Sequence, residues 1–273
     1  MPDADIVLTE LDAKGVLTLT MNRPDCLNSL NKPLIDAMLA ALLDAEHDDA
    51  VRCIVLTGAG RGFCAGADLV NGSWPAEEGW TQGQITAWSM EHGFNPLVRR
   101  IKGHSKPVVG AINGIAAGGG VGLALAPDLS IAADTAGFKL VFAPQLGIIP
   151  DVGASWLVPN LVGRQRANGL ALLGETLSAT EAARWGMVWE TVPADALMDR
   201  AYSIAHRLAD GAIGGIKATA KAHEHALACS FDEQLNYELE NQAWYCDQAE
   251  FTEGVRAFME KRKPDFRNIK KSS

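Results

Sequence analysis

Two glycine-bearing stretches carry the residues best suited to chemistry: FCAGADL at 63–69 and INGIAAGGGVGLALAPD at 112–128. In the first, Gly66 permits a tight bend, and the small Ala65 and Ala67 let a ligand approach the main chain. In the second, Gly118, Gly119 and Gly120 can open a helix, where unpaired N–H groups and the positive end of the dipole attract developing negative charge. Together the two can present backbone donors to a reacting carbonyl. Each also has a plain structural reading, a strand-to-helix turn for the first and close helix packing for the second. The glycine triplet fits neither G-x-x-x-x-G-K-S/T nor G-x-G-x-x-G with an acid about 20 residues further on, so nucleotide binding of those kinds is not indicated.

The acids around these stretches are few. Val121 and Gly122 follow the triplet, and the next plausible carboxylate is Asp151, in GIIPDVGASWLVP at 147–159. Two oxyanion donors and one carboxylate can make and quench an enolate. They are poorly equipped to activate a water as well. Asp151 also follows Pro150, where aspartate would suit a helix N-cap. Cys64 sits beside the first stretch, but no histidine near it in sequence supports a nucleophile, and a small buried cysteine is the commoner case. His223 and His225 point to different sides of a helix, so no metal site is expected.

The elements that must position these groups alternate in the first half of the chain. VLTLTMN (16–22) has period two and stops at Arg23-Pro24, VRCIVLTG (51–58) ends in glycine, and PVVGAING (107–114) and DLSIAA (128–133) complete four predicted strands. A helical face recurs at Leu34, Met38, Ala41, Leu42 and Ala45, with Pro33 in the first turn. This alternation predicts an α/β core with a largely parallel sheet. After about residue 160 the pattern is helical, with helices expected over 194–210, 213–228, 231–246 and 248–262 and a short strand at 187–192. Ser178/Glu181 and Ser230/Glu233 have the spacing of capping boxes. The composition shift places a boundary between 1–195 and 196–273.

Bulk properties narrow the partners. The 273 residues are 48% hydrophobic and 21% charged with a net charge of -9, which disfavours nucleic acid or an anionic membrane as the general partner. The basic stretch EKRKPDFRNIKK (260–271) could still hold a small polyanion or simply be a solvated tail. Five widely spaced cysteines without C-x-x-C suit a reducing compartment. No secretory signal or membrane span is evident and KSS is not a peroxisomal address, so a cytoplasmic protein is expected.

In combination the motifs resemble the crotonase (enoyl-CoA hydratase/isomerase) superfamily. The matches run in order through NRPDCLNSL (22–30), GFCAGADL (62–69), KPVVGAINGIAAGGG (106–120), GIIPDVGASWLVPNLVGRQRA (147–167), LLGETLSATEAARWGMV (172–188) and GVRAFMEKRKPDF (254–266). The resemblance implies a core of repeated β-β-α turns, a helical C-terminal trimerisation region, and a CoA thioester as ligand without a further cofactor. It implies an oxyanion hole from the N–H groups of Ala67 and Gly119. The implied CoA-thioester set is Arg23, Ala65, Ala67, Asp68, Leu69 and Gly119, joined by Phe258 and Lys261 from the same or a neighbouring subunit. The segment from Trp74 through Trp80, Trp88 and Phe94 matches the family's variable region that shapes the acyl pocket.

The departures are informative. Hydratases of the family carry one glutamate at the position of Gly122 and another about four residues before the glycine matching Gly147, where this chain reads VFAPQLG (141–147). Both are missing, which disfavours water addition. Asp151 matches an acid in ring-epoxide isomerases of phenylacetate degradation, to which residues 147–192 are most similar, in some enoyl-CoA isomerases, and in aryl-CoA dehalogenases, where it is a nucleophile. The reading is therefore an acyl-CoA isomerase, trimeric or a dimer of trimers, with Asp151 as base. The alternatives are an atypical hydratase, a dehalogenase or hydrolase with Asp151 as nucleophile and His92 as an imperfectly placed base, and a catalytically silent CoA-thioester binder.

Overall fold

The computed structural model describes residues 5–269. The KSS terminus and the last lysines of the basic stretch lie outside the described residues, as do the first four residues of the chain. Strands β1 (Val7–Leu11) and β2 (Val16–Met21) form an antiparallel pair. Helix α1 (Lys32–His47) follows, and then β3 (Cys53–Gly58) and β4 (Gly62–Cys64). Helix α2 (Gln82–Ser89) runs through a π turn at Met90–Phe94 into α3 (Asn95–Gly103). Next come β5 (Val108–Ile112), β6 (Ile115–Ala117) and α4 (Gly119–Leu125), then β7 (Leu129–Ala133), β8 (Gly137–Lys139) and a second π turn at Phe142–Leu146. Helices α5 (Ala154–Val162) and α6 (Arg164–Leu173), strand β9 (Thr176–Ser178), α7 (Ala179–Arg184) and β10 (Glu190–Val192) complete the sheets. Four helices close the chain: α8 (Leu197–Ala209), α9 (Ile213–His225), α10 (Phe231–Cys246) and α11 (Ala249–Met259).

From β3 to β8 successive strands feed different sheets. A six-stranded sheet has the order β1-β2-β3-β5-β7-β10, and a four-stranded sheet the order β4-β6-β8-β9. The three turns β3-β4, β5-β6 and β7-β8 each lay one strand in each sheet before a helix returns the chain, the expected β-β-α repeat. In the larger sheet every pairing after β1/β2 is parallel, in register through Leu19↔Leu56, Val55↔Val109 and Ala111↔Ile131. All six residues of β3 are buried, which is why CIVLTG reads as a continuous apolar run rather than an alternating one. Helix α1 starts where the Asn31 side chain accepts from the Leu34 N–H at 3.0 Å, and buries Leu34, Ile35, Met38, Leu42 and Ala45. Each of the four larger side chains contributes roughly 1.5–3 kcal/mol of apolar burial.

Packing runs on past the boundary expected at 195/196. Helix α8 buries Leu197, Ala201, Ile204, Ala205 and Ala209 against β2, β3, β5 and β7, so the sheet-packed core extends to the end of α8. Beyond it, α9 is tied back by buried Lys217, whose ammonium lies 2.6 Å from Asp128 Oδ1, while Asp128 Oδ2 accepts the Val108 N–H. Helix α10 buries no residue at all. Its N-terminus carries the full capping box of Ser230 and Glu233. At Ser178 only half of the expected box forms: the serine accepts from the Glu181 N–H, but the Glu181 carboxylate pairs with Arg184 instead. Among the described residues no helix is long and apolar enough to cross a membrane.

Candidate active site

The first glycine stretch leaves β4 as a turn laced to the segment before α1. Ala65 N–H donates to Leu27 O, Leu30 N–H to Gly66 O at 2.7 Å, and Asp68 N–H to Leu30 O at 2.9 Å. This bridge uses the carbonyl before Ala67 and the amide after it. The Ala67 N–H therefore faces away, and no acceptor for it exists among the described residues. Gly66 has a φ of 89°, and a Cβ there would lie 2.8 Å from Ala117 O and 3.1 Å from Gly119 N. Only glycine lets the two stretches abut this closely.

The glycine triplet divides its labour. Gly118 takes a φ of 52° and anchors itself by donating to Lys139 O at 2.9 Å. Gly119 opens α4, and its N–H has no acceptor among the described residues. Gly120 and Gly122 are packing glycines. A Cβ at 120 would meet Cys64 O at 2.1 Å, and one at 122 would meet Val152 O at 2.0 Å. Gly119 thus opens a helix as expected, while Gly120 serves close packing.

Asp151 stands opposite. Its Oδ1 is 3.3 Å from where a Cβ on Gly119 would be, so the carboxylate packs against that glycine. Val152 and Gly153 both take positive φ, 49° and 78°, and this sharp turn aims the chain into α5. The cap of α5 is Gly153, with no side-chain hydrogen bond, so the helix-cap reading of Asp151 does not hold. Burial pushes the Asp151 carboxyl up to about 6, partly offset by its own backbone N–H. No charged group contributes to the rise. A desolvated acid of this kind is poised to exchange protons near neutrality.

Ala65, Ala67, Asp68, Leu69, Gly119 and Asp151 line one cavity of about 350 Å³. Its far wall is apolar and includes Trp74 and Phe94, with ring centroids 4.9 Å apart, together with Phe142 and Ile148. Both π turns border this cavity, through Met90 and Phe94 and through Phe142 and Leu146. Leu69 is 76% exposed at the mouth. Trp80 and Trp88 are not among the lining residues, and Trp88 stacks on His92 instead. His92 Nδ1 contacts Trp88 O, and the ring does not line the cavity, so it is not placed to serve Asp151.

Arg23 lies outside the cavity lining. Its guanidinium is 2.9 Å from Asp68 Oδ2 and donates to Ser29 O, bracing the 66–71 loop. Burial pushes the Asp68 carboxyl up, but the N–H groups of Asn71 and Val70 and the Arg23 guanidinium outweigh it and hold it below the usual range. Phe258 and Lys261 are also outside the lining, with Phe258 81% exposed near the end of α11. Cys64 is fully buried, and burial pushes its thiol up to about 12, which makes it inert. Sequence reasoning missed Val152 and the role of Gly122 as a contact point. The signal for the latter was the glycine itself. A second cavity of about 380 Å³ lies between α9, α10 and α11 and holds neither of the free amides nor Asp151.

Comparison with known proteins places this geometry. Residues 12–269 match the family model described as enoyl-CoA hydratase/isomerase. The chain is 44% identical over 266 residues to the 1,2-epoxyphenylacetyl-CoA isomerase of Escherichia coli K12, covering 96% of this chain and 98% of the relative. It is 31% identical to a trans-2-decenoyl-acyl-carrier-protein isomerase of Streptococcus mutans, over 92% of this chain and 94% of that one. The crystal structure of an enoyl-CoA hydratase from Bacillus anthracis superposes with a TM-score of 0.86 at 30% identity, covering 95% of this chain and 98% of the other.

Proposed function

Because the chain belongs to the enoyl-CoA hydratase/isomerase family, we propose that it is an isomerase of CoA thioesters, with Asp151 as its only proton carrier. The observation that carries this reading is the closure of the second acid's position. A side chain at 122 would collide with the Val152 carbonyl, on the very turn that supports Asp151. One carboxylate facing two free amides is equipped for proton transfer and not for holding a water in addition.

In the proposed reaction the Asp151 carboxylate removes a proton from a carbon conjugated to the thioester. The electron pair moves onto the thioester oxygen, which the Ala67 and Gly119 N–H groups receive. Each such preorganised donor contributes roughly 3–4 kcal/mol to transition-state stabilisation. The protonated Asp151 then returns the proton to another carbon, leaving the double bond shifted and the mass unchanged. A ring-epoxide rearrangement, the chemistry in the E. coli relative's name, is mass-neutral as well and is the second candidate substrate type. No electron changes hands, so the scheme requires CoA only as part of the substrate.

Ala65, Leu69 and the main chain at Asp68 would follow the pantetheine. Arg23 would act through Asp68, and Phe258 and Lys261 would reach the CoA of a neighbouring subunit in a trimer. Phe231, Leu235 and Leu239, exposed at four-residue spacing along α10, form an apolar stripe that supports such an assembly, with Leu227 and Trp244 also exposed on and beside the helix. Incubation with unsaturated and aryl acyl-CoAs, following thioester conjugation and product mass, tests the function. Isomerisation changes absorbance at constant mass. Addition of one water would establish a hydratase, and absence of any α-proton exchange in deuterated water would establish a silent binder.

A further inference from the structure

Val152 adopts a backbone conformation that its residue type disfavours. Its φ is 49°, in the left-handed region, where a β-branched side chain is an outlier, and its side chain is buried. Strain of this kind persists only where the surroundings hold it and is concentrated at functional sites. Two glycines hold it here. The Val152 carbonyl seats against Gly122, and its Cγ2 methyl lies 2.7 Å from where a Cβ on Gly119 would stand. Asp151 Oδ1 is 3.3 Å from that same point. The methyl and the carboxylate therefore share the space that Gly119 leaves open.

We infer that Val152 is a positioning residue for the base: its left-handed backbone holds the Asp151 carboxylate over the space that Gly119 leaves open, and its buried isopropyl group shuts water away from one side of that carboxylate. This rests on the Asp151 reading given above. The surroundings leave apolar cover as the means of control. Helices α4 and α5 and the turn Phe142–Leu146 contain no titratable side chain. The other acid lining the cavity, Asp68, is paired with Arg23. Burial alone raises the Asp151 carboxyl to about 6, so removing cover lowers it again.

The test uses the full-length assembled protein with Val152→Gly and Val152→Ala, an isomerisable acyl-CoA, pH profiles of kcat, and thermal melts. Glycine adopts the left-handed backbone without strain, and alanine retains a Cβ if the glycine variant does not fold. The expected result for Val152→Gly is a fall in kcat of about tenfold or more with KM within about twofold, because proton transfer depends on aim and basicity. Its acid limb should move from about 6 toward the ordinary carboxylate range, with Val152→Ala between the two. Lowered melting temperature with unchanged kcat and an unchanged acid limb would show a packing role only and overturn the inference. Asp151→Asn is measured alongside. Retained turnover there would remove the Asp151 reading itself, whereas an inactive Asp151→Asn beside an unaffected Val152→Gly would remove only this inference.

Discussion

In Asp151→Asn the side chain keeps its size and its ability to accept a hydrogen bond, but loses the charge that the pocket disfavours. A rise from 3.8 to about 6 sets an upper limit of about 3 kcal/mol on what the ionised carboxylate costs the folded state, at about 1.4 kcal/mol per unit. The carboxylate opens partly onto the cavity, and solvent screening brings this to about 1–2 kcal/mol. The folded state binds the proton more tightly than the unfolded chain, so stability falls as pH climbs from 3.8 to about 6 and stays lowered above that. Asparagine carries no such penalty. The variant should match wild type at the acid end of this window and exceed it above the window, by about 2–8 °C in Tm at roughly 2–4 °C per kcal/mol. Its turnover should fall by about 10²- to 10⁴-fold, near the upper end because the other carboxylate of the cavity, Asp68, is tied to Arg23, while acyl-CoA affinity stays nearly unchanged. Turnover, binding and melting at two pH values on one preparation check all three. Near-wild-type turnover would refute Asp151 as base, and a Tm difference independent of pH would refute the desolvation argument.

Wild-type kcat should decline below pH about 6, because the base must be ionised to act and its carboxyl is raised to that value; a pH–rate profile flat through this region would contradict it. Gly122→Glu should fail to install water addition and should depress isomerisation, since its Cβ would lie 2.0 Å from the Val152 carbonyl; product mass spectra showing an added water would overturn this. Trp74 rests on Gly72 and Gly93, where Cβ atoms would come within 2.5 and 2.9 Å of its ring. Trp74→Leu should therefore lower kcat/KM for aryl acyl-CoAs by about tenfold, the scale of a lost aromatic pair, with short linear acyl-CoAs little affected in parallel assays. The protein should sediment as a trimer or a dimer of trimers, and Leu239→Glu on the unburied α10 should shift it toward monomer; an active wild-type monomer at micromolar concentration would refute the assembly.

Four of the five strands of five or six residues were legible from their patterns, whereas Val7–Leu11, exposed along most of its length, was not read. Gly62–Cys64, Ile115–Ala117, Gly137–Lys139 and Thr176–Ser178 are three residues each, too short for a period of two to register. The helix from Gln82 to Gly103 was hidden by the π turn at its centre, which breaks the 3.6-residue period. In the site, glycine content pointed to the amides and an isolated acid pointed to Asp151. The meaning of Gly122 needed a long-range contact with Val152 O that no local pattern encodes. Val152 was unreadable for a different reason, because its left-handed backbone runs against its own propensity. Arg23 and Asp68 were grouped with the ligand by resemblance, yet their charges face each other.

The order β4-β6-β8 in the smaller sheet makes the site a ruler. The turn bearing Ala67 leaves the first of these strands, Gly119 follows the second, and the excursion ending at Asp151 departs from the third. Neighbouring strands stand about 4.8 Å apart, so the rungs are graduated by backbone hydrogen bonding and not by side chains. The first two rungs present main-chain amides, and the glycines at 66 and 119 keep side chains out of the space between them. The third is a long irregular stretch that ends in the turn at Asp151, Val152 and Gly153. On the proposed reading, the grip on the thioester is thus set by the sheet, and the base is set by the one rung that leaves it.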